Sequence, residues 1–178
     1  MSNKLFGLLI GIFLAVTVQA ATLESDITAQ GVDSYIGQHV SAAQLATTLR
    51  TYGTLTAAST LTYSNCGTVY TLNSATEFAT TLPSPIAGCY FKFIVLAAPA
   101  SASYTVVTAS SANIINGQVA SAEDAAGSVS TAAAADTITF VDSKAIRGDY
   151  VELFSDGTYW FVSGMCNVQD GITTTQAT

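Results

Sequence analysis

GDYVELFSDGTYWFVSG, residues 148–164, decides how the rest of the chain is read. Two runs rich in aromatic and aliphatic residues, Tyr150 to Phe154 and Thr158 to Val162, flank Asp156-Gly157. Such runs suit a pleated, half-buried surface. An Asp-Gly pair between them supplies the positive φ that a two-residue type I′ turn needs at both central positions. The spacing predicts a β-hairpin that closes the fold. Within it, Tyr159 and Trp160 leave two readings open: a stacking surface for a glycan or partner, and ordinary cross-strand core pairs.

Upstream of the hairpin, from Leu55 onward, short apolar runs alternate with turn residues. This is the pattern of an all-β sandwich or barrel. Strands are expected near Leu61 to Tyr63, Thr68 to Leu72, Phe78 to Leu82, Tyr90 to Val95, Tyr104 to Thr108, Asn113 to Ile115, Gln118-Val119 and Thr137 to Val141. Nine or ten strands in this length point to a jelly-roll-like antiparallel β-sandwich. In Tyr90 to Val95, strict alternation sends Phe91, Phe93 and Val95 to one face. Ser121 to Ala135, rich in Ala, Ser and Gly, reads as an exposed loop whose small residues and acids, Glu123 and Asp124, suit an assembly contact. A calcium site from Glu123, Asp124 and Asp136 has the oxygens but no loop signature, so solvated acids are the better reading. Residues 173–178 read as a polar tail.

Further upstream the period changes. Ser41-Ala42-Ala43-Gln44 has the form of a capping box, with Val40 and Leu45 as a hydrophobic staple and Gly53 as a left-handed C-terminal residue. A short helix near Ala42 to Thr51 is expected. Before it, Lys4 and the apolar run 5–18 precede Val18-Gln19-Ala20, which fits a secretory signal peptide; retention as a membrane anchor is the other reading of residues 1–20. The expected organisation is residues 1–20 as signal or anchor, with membrane contact through 5–19, 21–54 as an arm with the helix, 55–172 as the β domain, and 173–178 as the tail.

The 178 residues carry 5 basic and 12 acidic side chains, a formal net charge of −7, and charged residues make only 10% of the chain. Nucleic acid is an unsuitable partner, because phosphate tracking draws on clustered Lys and Arg. Such a weakly charged surface, with mean hydropathy +0.43, suits a packed or assembled particle. Of the 3 cysteines, Cys66 and Cys89 flank two expected strands and form the candidate disulfide, leaving Cys166 as a buried thiol or an intermolecular bridge. With a single histidine, His39, in the chain, neither a Cys/His zinc site nor a His-based nucleophilic triad has the residues it needs. Asp142, Asp149 and Glu152 are the nearest thing to paired carboxylates, and ion pairing with Lys144 and Arg147 accounts for them. No enzyme activity and no cofactor is expected.

Several stretches together resemble a small β domain of tailed-phage virion proteins. They are Leu55 to Ala58, Thr68 to Leu72 with Ala75 to Phe78, Thr81 to Pro85 with Ala87-Gly88, Phe93 to Val95 with Ala98-Pro99, Tyr104 to Thr108, Asn113 to Gly117, and Gly148 to Glu152 with Ser155 to Trp160. The resemblance covers Leu55 to about Ile172 and rests on strand and turn signatures. It implies a non-enzymatic viral structural protein located in the virion, of capsid-decoration or fibre/spike type, a homotrimer contacting other virion proteins and, in a spike, a host-surface glycan. The leader instead points to a secreted subunit of an extracellular filament or layer. A carbohydrate-binding module using Tyr159 and Trp160 is the third reading.

Overall fold

The computed structural model of the chain describes residues 50–123 and 129–178. Among them the strands, in chain order, are β1 (Thr51–Leu55), β2 (Ser59–Thr60), β3 (Thr68–Leu72), β4 (Ala79–Thr81), β5 (Tyr90–Val95), β6 (Tyr104–Val107), β7 (Ile115–Ser121), β8 (Val129–Ala135), β9 (Thr137–Phe140), β10 (Tyr150–Ser155), β11 (Trp160–Cys166) and β12 (Ile172–Thr175). They form a seven-stranded sheet, ordered β1-β3-β5-β10-β11-β7-β8, and a five-stranded sheet, ordered β12-β9-β6-β4-β2. Residues Thr51–Thr178 make up a compact unit with one apolar core fed by both sheets.

Alternation builds the core. In β5 the side chains of Phe91, Phe93 and Val95 point inward and are essentially fully buried. The paired strands supply Val151 and Leu153 from β10, and Trp160 and Val162 from β11. Tyr70 stacks on Phe93 with ring centroids 5.9 Å apart, and Phe91 lies 5.7 Å from Trp160. Opposite Tyr70 in the register stands Gly53. A Cβ there would come within 2.8 Å of the Tyr70 ring, so the missing side chain makes room for the aromatic.

The two-sheet, all-β character agrees with the sequence, but the antiparallel jelly-roll does not. From β1 to β6 the chain alternates between the sheets, so β1, β3 and β5 stack in parallel in one, and β2, β4 and β6 in the other. With β7 parallel to β11, five of the ten described pairings are parallel. A parallel pair needs a crossover, and here the crossover is a strand of the opposite sheet instead of a helix. Alternation of side chains has period two in either direction, which is why it does not distinguish the two pairings.

Local expectations fare unequally. Strands β3 and β5 coincide with the expected runs. Leu61 to Tyr63 is not a strand: Leu61 is buried, and Tyr63–Asn65 forms a 3₁₀ turn in which Asn65 Oδ1 accepts from the Thr62 amide. The two short runs around Gly117 merge into β7, and Ala134 (φ 55°) sits in a bulge opposite them, its amide donating to Asn116 Oδ1. Part of the expected loop, Val129–Ala135, is strand β8, and the expected tail supplies Thr173 to Thr175 of β12. Of the helix expected near Ala42 to Thr51, residues 42–49 lie outside the described residues, as do the leader, His39 and Asp124, whereas its last residue, Thr51, and the expected C-terminal Gly53 belong to strand β1.

The closing hairpin is present with a different turn. Ser155 pairs with Trp160, so the loop has four residues, and of the Asp156-Gly157 pair only Gly157 (φ 101°) has positive φ. Asp156 Oδ1 accepts the amides of Thr158 and Tyr159, each at 2.8 Å, and Ser155 Oγ accepts that of Gly157. These side-chain bonds replace the backbone bond of a type I′ turn.

Candidate functional site

Three places carry the chemistry the described residues offer. The first is a cleft of about 380 Å³ between the turn at Ile146–Asp149 and the end of β11. Its acid, Asp149, is buried, with Oδ2 accepting the Ile146 amide and Oδ1 the Asn167 amide, both at 2.9 Å. Both oxygens are engaged in fixing the chain. Beside it Cys166 is a free, buried thiol whose Sγ donates to the Ala120 carbonyl. Burial pushes that thiol's pKa up, with the neighbouring Asp149 charge adding to the effect. A thiol held in its protonated form is a poor nucleophile and metal ligand.

The carboxylates expected to pair with Lys144 and Arg147 are distributed otherwise. Glu152 pairs with Lys92 at 2.8 Å across β5 and β10. Lys144 faces Asp170 at 3.8 Å, Arg147 Nε donates to the Leu96 carbonyl, and Asp142 accepts from Ser103 Oγ. These contacts join loops that are far apart in sequence. Glu123 is exposed, and its Oε2 accepts the Gln169 amide at 3.3 Å. Asp136, the other described acid of the conceivable calcium set, is buried. Among the described residues no three His, Cys, Asp or Glu side chains group as a metal site.

The second place is the disulfide. Cys66 and Cys89 are bridged, Cα to Cα 5.1 Å, as the sequence suggested. The bridge ties the turn before β3 to the start of β5.

The third is the outer face of the seven-stranded sheet. Register fixes three rows that run across the strands. One holds Tyr90, Phe154, Phe161 and Asn116; the middle one Val69, Lys92, Glu152, Ser163, Gln118 and Thr131; the last Ile94, Tyr150, Met165, Ala120 and Val129. Phe154, Phe161 and Met165 are 49%, 43% and 48% exposed, far above what core residues show. The Lys92 ammonium also lies 4.1 Å from the centre of the Tyr150 ring, so the middle row is tied to the last by a cation–π contact. At the sheet edge, Tyr52 on β1 shares hydrogen bonds of 3.1 Å with Thr54 and Thr71, which lower its phenol pKa.

The two aromatics singled out in the hairpin separate. Tyr159 is 44% exposed in the loop, whereas Trp160 is fully buried on Phe91. They form no common stacking surface. Within the two hairpin strands the exposed aromatics are Phe154 and Phe161, one residue out of phase with the buried positions, and the same alternation signals them once the loop length is known. Compared with known protein families, with curated proteins and with solved structures, the chain matches none of them.

Proposed function

We propose that the chain is a non-enzymatic structural subunit, a viral capsid-decoration, minor capsid or fibre/spike component that works by assembling with copies of itself and with other virion proteins. The observation that carries the reading is the outer sheet face: large apolar side chains left in water, on a chain with few charges, mark a surface that functions when covered. The strand and turn resemblance to phage virion domains supports it and brings with it the homotrimer. Multi-angle light scattering on the full chain tests self-association. A multi-subunit mass is expected; a monomer at high concentration would remove the reading. Immunolabelling of the native particle locates the protein.

The disulfide favours a second reading, a secreted subunit of an extracellular filament or layer, because such bonds persist in oxidising compartments. Mass spectrometry of the natural N-terminus decides between them: a start at Ala21 supports export, and an intact Met1 supports an anchor. With Trp160 in the core, a glycan contact rests on Tyr159 and the neighbouring Phe154 and Phe161. A glycan array that stays blank removes it.

A further inference from the structure

We infer that the outer face of the seven-stranded sheet is covered by the same face of a second copy of this chain, packed about a two-fold axis that runs along the strands between β5 and β10. The inference rests on the assembly reading and names its partner and its contact.

Charge is the first argument. The chain carries a net −7, so most of its surface repels another copy. The outward positions of the seven strands hold one cation and one anion, Lys92 and Glu152, and these cancel. The face is therefore a neutral window in an acidic protein, and two copies meet there without a like-charge cost.

Self-complementarity is the second. Lys92 and Glu152 are register partners on adjacent strands in the middle row. A two-fold lying between those strands places Lys92 of one copy over Glu152 of the other, and the reverse. An isologous contact needs each charge to meet its opposite after the rotation, and this pair satisfies that. The same rotation runs each row along its own counterpart, so Phe154 packs on Tyr90 of the second copy and Phe161 lies over the second copy's β3.

Area is the third. With the axis between β5 and β10, six of the seven strands overlap and β8 overhangs; at ~4.8 Å per strand and three rows ~7 Å apart, the covered face is about 600 Å². Two such faces together remove about 1,200 Å² from water, the lower limit for a specific interface. Sheets facing each other pack at about 10 Å with their strands roughly aligned, which these rows of medium and large side chains can fill. The contact is additional to the three-fold one implied by the resemblance.

The test is sedimentation equilibrium on the full chain, with circular dichroism and thermal melting as folding controls. Phe154→Glu with Phe161→Glu is expected to weaken association at least 100-fold while the melt stays cooperative; Tyr63→Glu, exposed elsewhere, is expected to change nothing. Lys92→Glu and Glu152→Lys are each expected to weaken self-association, and an equimolar mixture of the two single variants to restore it, because the opposite charges then meet across the axis. The mixture answers the question even if the double phenylalanine variant does not fold. A wild-type chain that associates while the face variants associate equally well overturns this contact and leaves the assembly reading standing. Single variants that weaken association but are not rescued by mixing overturn the two-fold arrangement. A wild-type chain that remains monomeric, with or without glycan binding, overturns both.

Discussion

Trp160 is where alternation alone leaves two answers and packing gives one. Its ring is fully buried 5.7 Å from Phe91, and the indole N–H finds no acceptor among the described residues. Trp160→Ala is therefore expected to cost about 3–5 kcal/mol by denaturant melting. Trp160→Phe should cost about 1–2 kcal/mol less than that, because a ring still packs on Phe91 and an unpaired buried donor is removed. Asp156 gives a pH prediction. Amides of Tyr159 and Thr158 hydrogen-bond its carboxylate and hold its pKa below the usual range. The folded pKa thus lies under the unfolded one, so its stabilisation is complete above the ordinary carboxylate pKa of about 4 and fades as pH falls through the depressed folded value. Glu77, hydrogen-bonded by the Ala100 amide, acts in the same direction. Melting midpoints of wild type and Asp156→Asn should differ at neutral pH and converge as pH falls through the depressed folded pKa; a constant difference would refute the assignment. The buried Cys166 thiol should resist a thiol reagent until the chain unfolds.

Elements carry their own tests. The Cys66–Cys89 bridge spans a sequence separation of 23, and restricting the unfolded chain by a loop of that size is worth about 3 kcal/mol. Cys66→Ser with Cys89→Ser should lower stability by that amount, read by denaturant titration under oxidising conditions. In β7, Gly117 has φ 134°, and a Cβ there would overlap the Val162 carbonyl oxygen on β11. Gly117→Ala is expected to cost about 3 kcal/mol or more, since the obstacle is backbone at the centre of a parallel pair and cannot swing aside. The hairpin lies at the middle of the seven-stranded sheet instead of closing it, and it is one of several tethers. Ser155 exchanges bonds with the Gly88 amide and the Cys89 carbonyl, so its loop is braced by the disulfide-bearing segment as well as by Asp156. The turn is longer than type I′ because Asp-Gly also serves a four-residue loop when the Asp side chain caps the following amides.

At the scale of the molecule the sandwich is fastened along one side by the C-terminus. The Thr174 amide donates to Ser130 Oγ and the Thr174 hydroxyl donates to the Thr131 carbonyl, joining β12 of one sheet to β8 of the other. Ile172, at the start of β12, is 1% exposed. Deleting residues 171–178 should cost about 3 kcal/mol or more from the lost core side chain alone, and limited proteolysis should then cut near β8. What the sequence by itself determined is the class of structure, the inward face of each strong strand, and the cysteine pair. Each depends on contrast between neighbours along the chain: Phe91 against Lys92, or a cysteine at either end of a strand pair. The tertiary structure decided the sheet order, the parallel stacking of β1, β3 and β5, the strand character of Val129–Ala135 and Ile172–Thr175, and the burial of Trp160 beside an exposed Phe161. Ala- and Thr-rich segments such as β8 and β12 have too little apolar contrast to declare a face, and they become strands because an edge with unpaired backbone lies beside them. Which edge that is depends on contacts between residues far apart in sequence, and these exist only once the chain has folded.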